Sequence, residues 1–222
     1  MTLPLNRTLF YLFMLLIMLA PLPLGSNREW SWTLCAALTG VIGLVWVVRA
    51  LIRPASVSRL VHPLLIIGFI AVCAWALLQT SPAVPQGWGH PLWALSAEVL
   101  GDGAPATVSL SPDETFTATM RLLMYGLVFY LSFQWGRDEY LARRALQLLV
   151  FAGMAYAVFG LAKYWSGSTT LFWFENNGYK SSVHSTFVNR NHFATWQGLT
   201  LLCLMAWFYQ IQQTQIQDRL SN

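Results

Sequence analysis

The segment that precedes the last apolar stretch of the chain combines residue types that could bind a phosphate. It reads Ser185-Thr186-Phe187-Val188-Asn189-Arg190-Asn191-His192-Phe193-Ala194. A helix that begins here presents unpaired backbone amides and a partial positive charge, and both favour phosphate or pyrophosphate. Arg190 would add a planar, permanently charged donor for phosphate oxygens.

The neighbours of Arg190 have two alternative roles. Asn189 and Asn191 could hydrogen-bond sugar hydroxyls, and His192 could donate a bond or exchange a proton. Alternatively, one asparagine only caps the helix, while Arg190 and His192 lie among lipid headgroups. Within a helix Arg190 and His192 point about 200° apart, so they can share a ligand only if the helix begins near Asn191.

The composition indicates an integral membrane protein. Of 222 residues, 56% are hydrophobic and only 10% are charged, whereas a soluble domain averages about 25% charged residues. The net charge of +4 does not predict a nucleic-acid partner, because the basic residues flank apolar stretches instead of clustering on one face. Cys35, Cys73 and Cys203 lie far apart within apolar stretches without metal-ligand spacing, and they predict no metal site.

The chain is predicted to form one all-α transmembrane domain, residues 1–222, with about six spans of about 20 residues each. The first stretch ends in Ala20-Pro21-Leu22 without a small-residue cleavage site. It is therefore predicted to be a retained span and not a signal peptide. The predicted spans are about 8–24, 31–52, 60–80, 115–136, 145–163 and 192–210.

The basic residues predict that both termini lie in the cytoplasm, because positive charge accumulates on that side of a membrane. In this orientation the cytoplasmic segments carry eight of the 13 Lys and Arg residues and three of the nine acids. The periplasmic segments carry the other five basic residues and the other six acidic residues. The cytoplasmic basic residues are Arg7, Arg49, Arg53, Arg59, Arg137, Arg143, Arg144 and Arg219.

Two periplasmic loops are predicted, at about 81–114 and 164–191. In the first, Pro91 and Gly101 bound a short helix suited to the headgroup layer, either as a brace or as a gate for a lipid substrate. In the second, Asn176-Asn177-Gly178 lies between aromatic residues, which predicts a hairpin turn.

A helix start is predicted at Ser111-Pro112-Asp113-Glu114, which fits a capping box. The helix should run from Pro112 to about Trp135, which places Arg121 near the outer interface. There Arg121 could anchor the helix in the headgroups or face an anionic substrate.

The segment Phe187–Ala194 resembles the signature segment of the bacterial O-antigen ligases and polymerase-like membrane proteins. The likeness extends in order over nearly the whole chain. Three further segments, weak singly, are similar to the same family: Pro21-Leu22-Pro23-Leu24-Gly25-Ser26-Asn27-Arg28, Trp75-Ala76-Leu77-Leu78-Gln79 and Leu171-Phe172-Trp173-Phe174.

This resemblance implies a multi-span glycosyltransferase of the bacterial inner membrane. Such enzymes transfer a glycan from undecaprenyl pyrophosphate to lipid A core or to another glycan, without a metal or a nucleotide sugar. The resemblance implies that Arg190 contacts the pyrophosphate, and the implied partners are the lipid-linked glycan and membrane lipids. The candidate substrate-binding residues are Arg190, Asn189, Asn191, His192, Arg121 and Arg28.

The resemblance also implies that the catalytic residues lie outside these 222 residues. The family continues with further spans and a second periplasmic loop, which carries another arginine and the catalytic histidine. We therefore expect the N-terminal part of such an enzyme, or half of a split enzyme completed by a second polypeptide. A non-catalytic membrane scaffold is the alternative. A transporter is disfavoured, because no Lys, Arg, Asp or Glu falls in the middle third of any predicted span.

Overall fold

A computed structural model describes residues 4–52, 63–85, 87–101, 106–168, 170–171, 174–175 and 182–221. Within these residues the chain forms seven α-helices, a 3-10 helix at Leu24–Ser26 and one pair of short strands. The elements are α1 (Pro4–Leu19), α2 (Glu29–Ile52), α3 (Pro63–Thr80), α4 (Leu92–Leu100), α5 (Pro112–Gly136), α6 (Glu139–Trp165), β1 (Thr170–Leu171), β2 (Phe174–Glu175) and α7 (Arg190–Ser221).

Four of the described helices are long and apolar enough to cross a membrane, namely α2, α3, α5 and α6. In α3 only 6% of the most apolar 18-residue window is buried, and Leu64 and Ile67 are largely exposed. Soluble proteins rarely expose such continuous apolar surface. The chain is therefore a helical membrane protein.

The first and last helices differ from the predicted spans. The span predicted at 8–24 is too long at its end, because α1 stops at Leu19. Pro21 and Pro23 lack the backbone N–H that would continue a helix, and turns follow instead. By contrast, α7 continues beyond residue 210 to Ser221, where neither Pro nor Gly interrupts it. Neither helix is among the four long apolar ones, so six spans and the orientation stay predictions.

Glycine and proline set two helix boundaries as predicted. Gly101 ends α4 in the left-handed conformation, with φ of 74°. Pro112 begins α5, which ends one residue beyond the predicted Trp135. The hydroxyl that bonds the backbone at this helix start belongs to Ser109 and not to Ser111, the residue that the capping box placed there. The Ser109 hydroxyl accepts the backbone N–H of Ser111 at 3.1 Å and lies 2.8 Å from the Thr115 hydroxyl.

The two short strands are antiparallel, with Thr170 opposite Glu175 and Leu171 opposite Phe174. The hairpin predicted at Asn176-Asn177-Gly178 lies outside the described residues.

The chain divides into two compact units. One unit comprises Val48–Leu131. Within it α3 packs closely on α5, where Gly126 faces the ring of Phe69. The carbonyl of Gln79 accepts the backbone N–H of Ser109 at 3.0 Å, which fixes the segment that leads into α5.

The other unit comprises Met1–Val47 and Ser132–Asn222. Its α1 packs on α6, and the indole N–H of Trp135 donates to Oδ1 of Asn6 at 3.0 Å. Helices α6 and α7 are antiparallel. They pack closely, because Gly153 has no side chain where α6 faces Thr200 of α7. The amide of Gln197 donates to the Gly153 carbonyl at 3.2 Å. All contacts described below for the start of α7 belong to this unit.

Candidate functional site at the start of the last helix

Helix α7 begins at Arg190 and is capped by Asn189. The Oδ1 atom of Asn189 accepts the backbone N–H of Asn191 at 2.8 Å. The Asn189 carbonyl accepts the N–H groups of His192 at 3.1 Å and Phe193 at 3.3 Å. Of the two asparagines that could cap the helix, Asn189 therefore does so. The side chain of Arg190 is exposed on the first turn.

Arg190 and His192 could share a ligand only if the helix began near Asn191, and α7 already includes Arg190. The two side chains are exposed but leave the helix about 200° apart. Asn191 is also exposed, and its carbonyl accepts the Thr195 hydroxyl at 3.0 Å. The start of α7 thus brings Arg190 and its cap Asn189 together, and it directs His192 elsewhere.

Two of the segments that resemble the O-antigen ligases contact each other. A Cβ atom added to Gly25 would lie 3.0 Å from Cδ1 of Phe187. Gly25 has φ of 66°, a left-handed conformation that L side chains rarely adopt. Arg28 follows at the start of α2, where its carbonyl accepts the N–H of Trp32 at 3.1 Å, and its side chain is exposed.

Arg121 belongs to the other compact unit. It lies in α5, within the unit Val48–Leu131, and its side chain is half-buried. Its role in substrate binding stays a prediction.

An aromatic cluster supports the first turn of α7. Tyr156, Phe187 and Phe193 are buried together, with Leu22 and Trp196 packed against them. The ring of Phe187 lies 5.9 Å from that of Phe193 and 6.4 Å from that of Tyr156. The Tyr156 hydroxyl donates to the Met18 carbonyl at 2.7 Å. Aromatic packing of this kind holds the helix start against α6 and the end of α1.

The loop before α7 is buried against α6. The Ser185 hydroxyl donates to the Tyr156 carbonyl at 2.8 Å. Ser185 has φ of 52° and rests on Gly160, where an added Cβ would lie 3.0 Å from Cβ of Ser185. His184 and Phe187 close a tight turn: the Phe187 N–H donates to the His184 carbonyl, and Nδ1 of His184 bonds the Phe187 carbonyl, both at 2.9 Å.

Three polar side chains are buried at the end of α6 and in this loop, namely Lys163, His184 and Thr186. Lys163 is only 8% exposed and Thr186 only 1% exposed. Neither the ammonium of Lys163 nor the Thr186 hydroxyl has a hydrogen-bond partner among the described residues. Burial, and then the positive charge of Lys163, lower the pKa of His184 below its usual range. His184 is therefore neutral at pH 7 and donates through Nδ1.

The sequence did not single out Lys163 or His184 as candidate site residues. The available signal was a lysine in the last turn of α6, directly after the uncharged stretch from Leu148 to Ala162. That signal does not reveal burial, because the covering loop is more than 20 residues away in sequence.

An apolar groove of about 330 Å³ lies between α1 and α6, and Thr186 is among the residues that line it. Such a groove can hold a hydrocarbon chain. The groove is lined by Met18, Leu19, Leu22, Ala152, Ala155, Tyr156, Phe159 and Thr186.

No protein-family model matches the chain, and no curated protein or solved structure is significantly similar to it. Within the described ranges, no three His, Cys, Asp or Glu side chains come together in a way that could hold a metal ion.

Proposed function

We propose that this chain supplies the substrate-binding part of a bacterial inner-membrane glycosyltransferase similar to the O-antigen ligases. In the proposed reaction a hydroxyl oxygen of the acceptor attacks the anomeric carbon of a glycan linked to undecaprenyl pyrophosphate. The bond from that carbon to the pyrophosphate oxygen breaks, and the hydroxyl proton passes to a base. Undecaprenyl pyrophosphate is the leaving group, and the acceptor is a lipid or another glycan.

The observation that carries this proposal is the exposed guanidinium of Arg190 on the capped first turn of α7. The positive end of the helix dipole and the guanidinium act at the same place. Negative charge increases on the pyrophosphate as it leaves. Cationic groups fixed near that charge therefore stabilise the transition state more than the ground state.

The packing around Arg190 supports the same role. Phe187 is held by Tyr156 and by the segment at Gly25, and Ser185 is hydrogen-bonded to α6. A charged group stabilises a developing charge best when its supporting residues are already in position. In this proposal Asn189 positions Arg190 through the cap. The exposed Asn191 remains the candidate for a bond to a glycan hydroxyl.

The test compares arginine substitutions in cells that carry the complete gene. Arg190→Ala should reduce glycan transfer by on the order of a hundredfold, the usual loss when one charge-stabilising donor is removed. The lipid-linked glycan should accumulate while the protein remains at its normal level in the membrane. Arg190→Lys should retain part of the activity, because the charge remains without the planar donor pair.

The matched control is Arg143→Ala. Arg143 forms an exposed ion pair with Glu139 at 3.6 Å, an interaction of little energetic value. The Arg143→Ala variant should therefore transfer glycan at the normal rate. Normal transfer by Arg190→Ala, at a normal membrane level, would contradict the proposed function.

A further inference from the structure

We propose that helices α1 and α6 together bind one anionic phospholipid of the surrounding membrane. Its phosphate contacts Arg7 and Arg144, which we name the arginine pair, and one acyl chain lies in the groove lined by Met18 and Ala155. The phospholipid belongs to the leaflet that borders the starts of the two helices. This inference goes beyond the proposed function and does not rest on it, because it requires only that the chain is a membrane protein.

The arginine pair comes from two helices and meets at one aromatic ring. The guanidinium carbon of Arg7 lies 5.1 Å from the centroid of the Tyr140 ring, and that of Arg144 lies 5.4 Å from it. The two guanidinium carbons are therefore at most about 10.5 Å apart, the sum of these distances. Both side chains are exposed. A guanidinium held over an aromatic ring can still donate to phosphate oxygens from its planar edge.

The charges around the arginine pair favour an anionic headgroup. The two acidic residues of the connection between α5 and α6 make other contacts. Oδ1 of Asp138 accepts a backbone N–H of the first turn of α6 at 3.1 Å, and Glu139 pairs with Arg143 at 3.6 Å. Arg144 donates to the neutral amide oxygen of Gln147 at 3.0 Å. Positive charge at the end of a membrane helix attracts anionic lipids.

The tendency of basic residues to remain in the cytoplasm does not by itself explain the arginine pair. That tendency depends on how many basic residues a connection carries and not on where their side chains meet. Arg7 and Arg144 are 137 residues apart in the sequence, yet they meet at one ring. The side chain of Tyr11 in α1 also hydrogen-bonds Tyr140. Two donors held at one place suit a single bound phosphate.

On α1 the arginine pair and the groove lie on the same face. Arg7, Tyr11, Leu15 and Met18 follow one another at steps of four, four and three residues. Such steps keep side chains on one face of a helix. Tyr11 is 40% exposed and Leu15 is 46% exposed. An apolar surface therefore leads from Arg7 to Met18 in the groove.

The matching face of α6 also connects an arginine to the groove. Helices α1 and α6 are parallel, because Arg7 lies by Tyr140 and, further along both helices, the Tyr156 hydroxyl donates to the Met18 carbonyl. Steps of three or four residues again define one face. Its residues are Tyr140, Arg144, Leu148, Ala152, Ala155 and Phe159, of which the last three line the groove.

The distance from the arginine pair to the groove matches one leaflet of a membrane. Ala155 is eleven residues after Arg144, which is about 17 Å along a helix. Half of the hydrocarbon core of a bilayer is about 15 Å. An acyl chain whose phosphate contacts the arginine pair is therefore long enough to reach the groove.

The arginine pair is distinct from the site at the start of α7. Arg7 is about 18 Å along α1 from Leu19, and Gly25, which contacts Phe187, comes after the end of α1. The phospholipid headgroup therefore lies at the opposite end of α1 from the segment that leads to Arg190.

The test measures the lipids that the full 222-residue chain retains in detergent, by native mass spectrometry. The probes are phosphatidylglycerol, which is anionic, and phosphatidylcholine with the same acyl chains. The chain should retain one phosphatidylglycerol, and it should retain phosphatidylcholine at least about tenfold less, because only the first has a net negative charge for the arginine pair. Equal retention of the two lipids would overturn the inference.

The double variant Arg7→Gln with Arg144→Gln should bind phosphatidylglycerol at least about tenfold more weakly than the unsubstituted chain. The matched control is Arg137→Gln with Arg143→Gln, which removes the same charge from the connection between α5 and α6 and leaves the arginine pair. The control should bind within about threefold of the unsubstituted chain, since exposed charges away from the phosphate contribute little. Equal losses in the two double variants would show that only the total charge matters and would overturn the site.

Ala155→Phe tests the groove, because Ala155 is exposed and a phenyl ring there takes the place of the acyl chain. It should weaken retention of phosphatidylglycerol by about threefold or more through lost apolar contacts. Val158→Phe is the control, since Val158 is 67% exposed on α6 and does not line the groove. Normal retention by Ala155→Phe would overturn the role of the groove. A lipid-free dimer would overturn the inference and assign this face to a second copy of the chain.

Arg190→Ala separates this inference from the proposed function. It should retain phosphatidylglycerol like the unsubstituted chain, whatever its effect on glycan transfer, because Arg190 lies beyond the other end of α1. Loss of phosphatidylglycerol in Arg190→Ala, with normal retention by the variant that lacks the arginine pair, would place the lipid at the start of α7 and overturn the inference.

Discussion

Gly25 lies directly against Phe187, so closely that a Cβ atom on Gly25 would be 3.0 Å from the ring carbon Cδ1. The two residues belong to segments far apart in the sequence. Phe187 begins the segment that leads into Arg190, and Gly25 precedes Arg28. The contact therefore links the turn after α1 to the start of α7, and it makes the position of Arg190 depend on both.

The Gly25 contact predicts that Gly25→Ala destabilises the protein by about 1–2 kcal/mol or more. A side chain is disfavoured in the left-handed conformation by about that amount, and the close approach of Phe187 adds to the cost. The melting temperature in detergent measures the effect. Gly40→Ala is the matched control, because Gly40 lies in α2 with no atom within 4 Å of an added Cβ. An equal melting temperature for the two variants would disprove the importance of the contact.

The packing of α6 on α7 predicts a second glycine effect. Gly153→Ala would place a methyl group against the side chain of Thr200, so it should lower the melting temperature by several degrees. The double variant Gly153→Ala with Thr200→Gly should recover part of the loss, because it restores the space. Gly198→Ala on α7 is the control, since an added Cβ there meets no atom within 4 Å. No loss in Gly153→Ala would show that the helices pack differently.

The buried imidazole of His184 predicts a pH-dependent stability. Burial and the charge of Lys163 lower its pKa in the folded protein, whereas the unfolded chain binds a proton near the ordinary value of about 6.5. Between these two pKa values the unfolded state holds more protons. The contribution of the neutral His184 imidazole to the free energy of unfolding is therefore complete above about pH 6.5, and it falls as the pH drops below that value.

His184→Asn should flatten this dependence, because the Asn amide can donate to the Phe187 carbonyl without titrating. Melting temperatures measured between about pH 5 and 8 test the prediction. His192→Asn is the matched control, since the His192 side chain is exposed. The same slope in His184→Asn and the unsubstituted chain would contradict the assignment.

The sequence predicted best where one residue fixes the local backbone. Pro112 and Gly101 marked helix ends correctly, because ring closure and the left-handed conformation act within one or two residues. The end of α1 was missed, since hydrophobicity continues past Leu19 although the prolines stop the helix. Continuous hydrophobicity defines an apolar stretch but not the helix within it.

The candidate site was predictable only in part, for a similar reason. Arg190 and the cap at Asn189 are local features of one segment and could be read from it. The burial of Lys163 depends on the loop at His184 folding back over α6, which a one-dimensional pattern does not contain. The separation of Arg190 from His192 depended on a helix start shifted by a single residue.

The most direct test of the central claim measures binding of undecaprenyl pyrophosphate to the purified chain in lipid nanodiscs by native mass spectrometry. We expect the unsubstituted chain and Arg143→Ala to retain the lipid equally. Arg190→Ala should bind it at least about tenfold more weakly, the loss expected when a charged donor to a phosphate is removed. Equal retention of undecaprenyl pyrophosphate by Arg190→Ala and the unsubstituted chain would contradict the assignment of Arg190 as the pyrophosphate-binding residue.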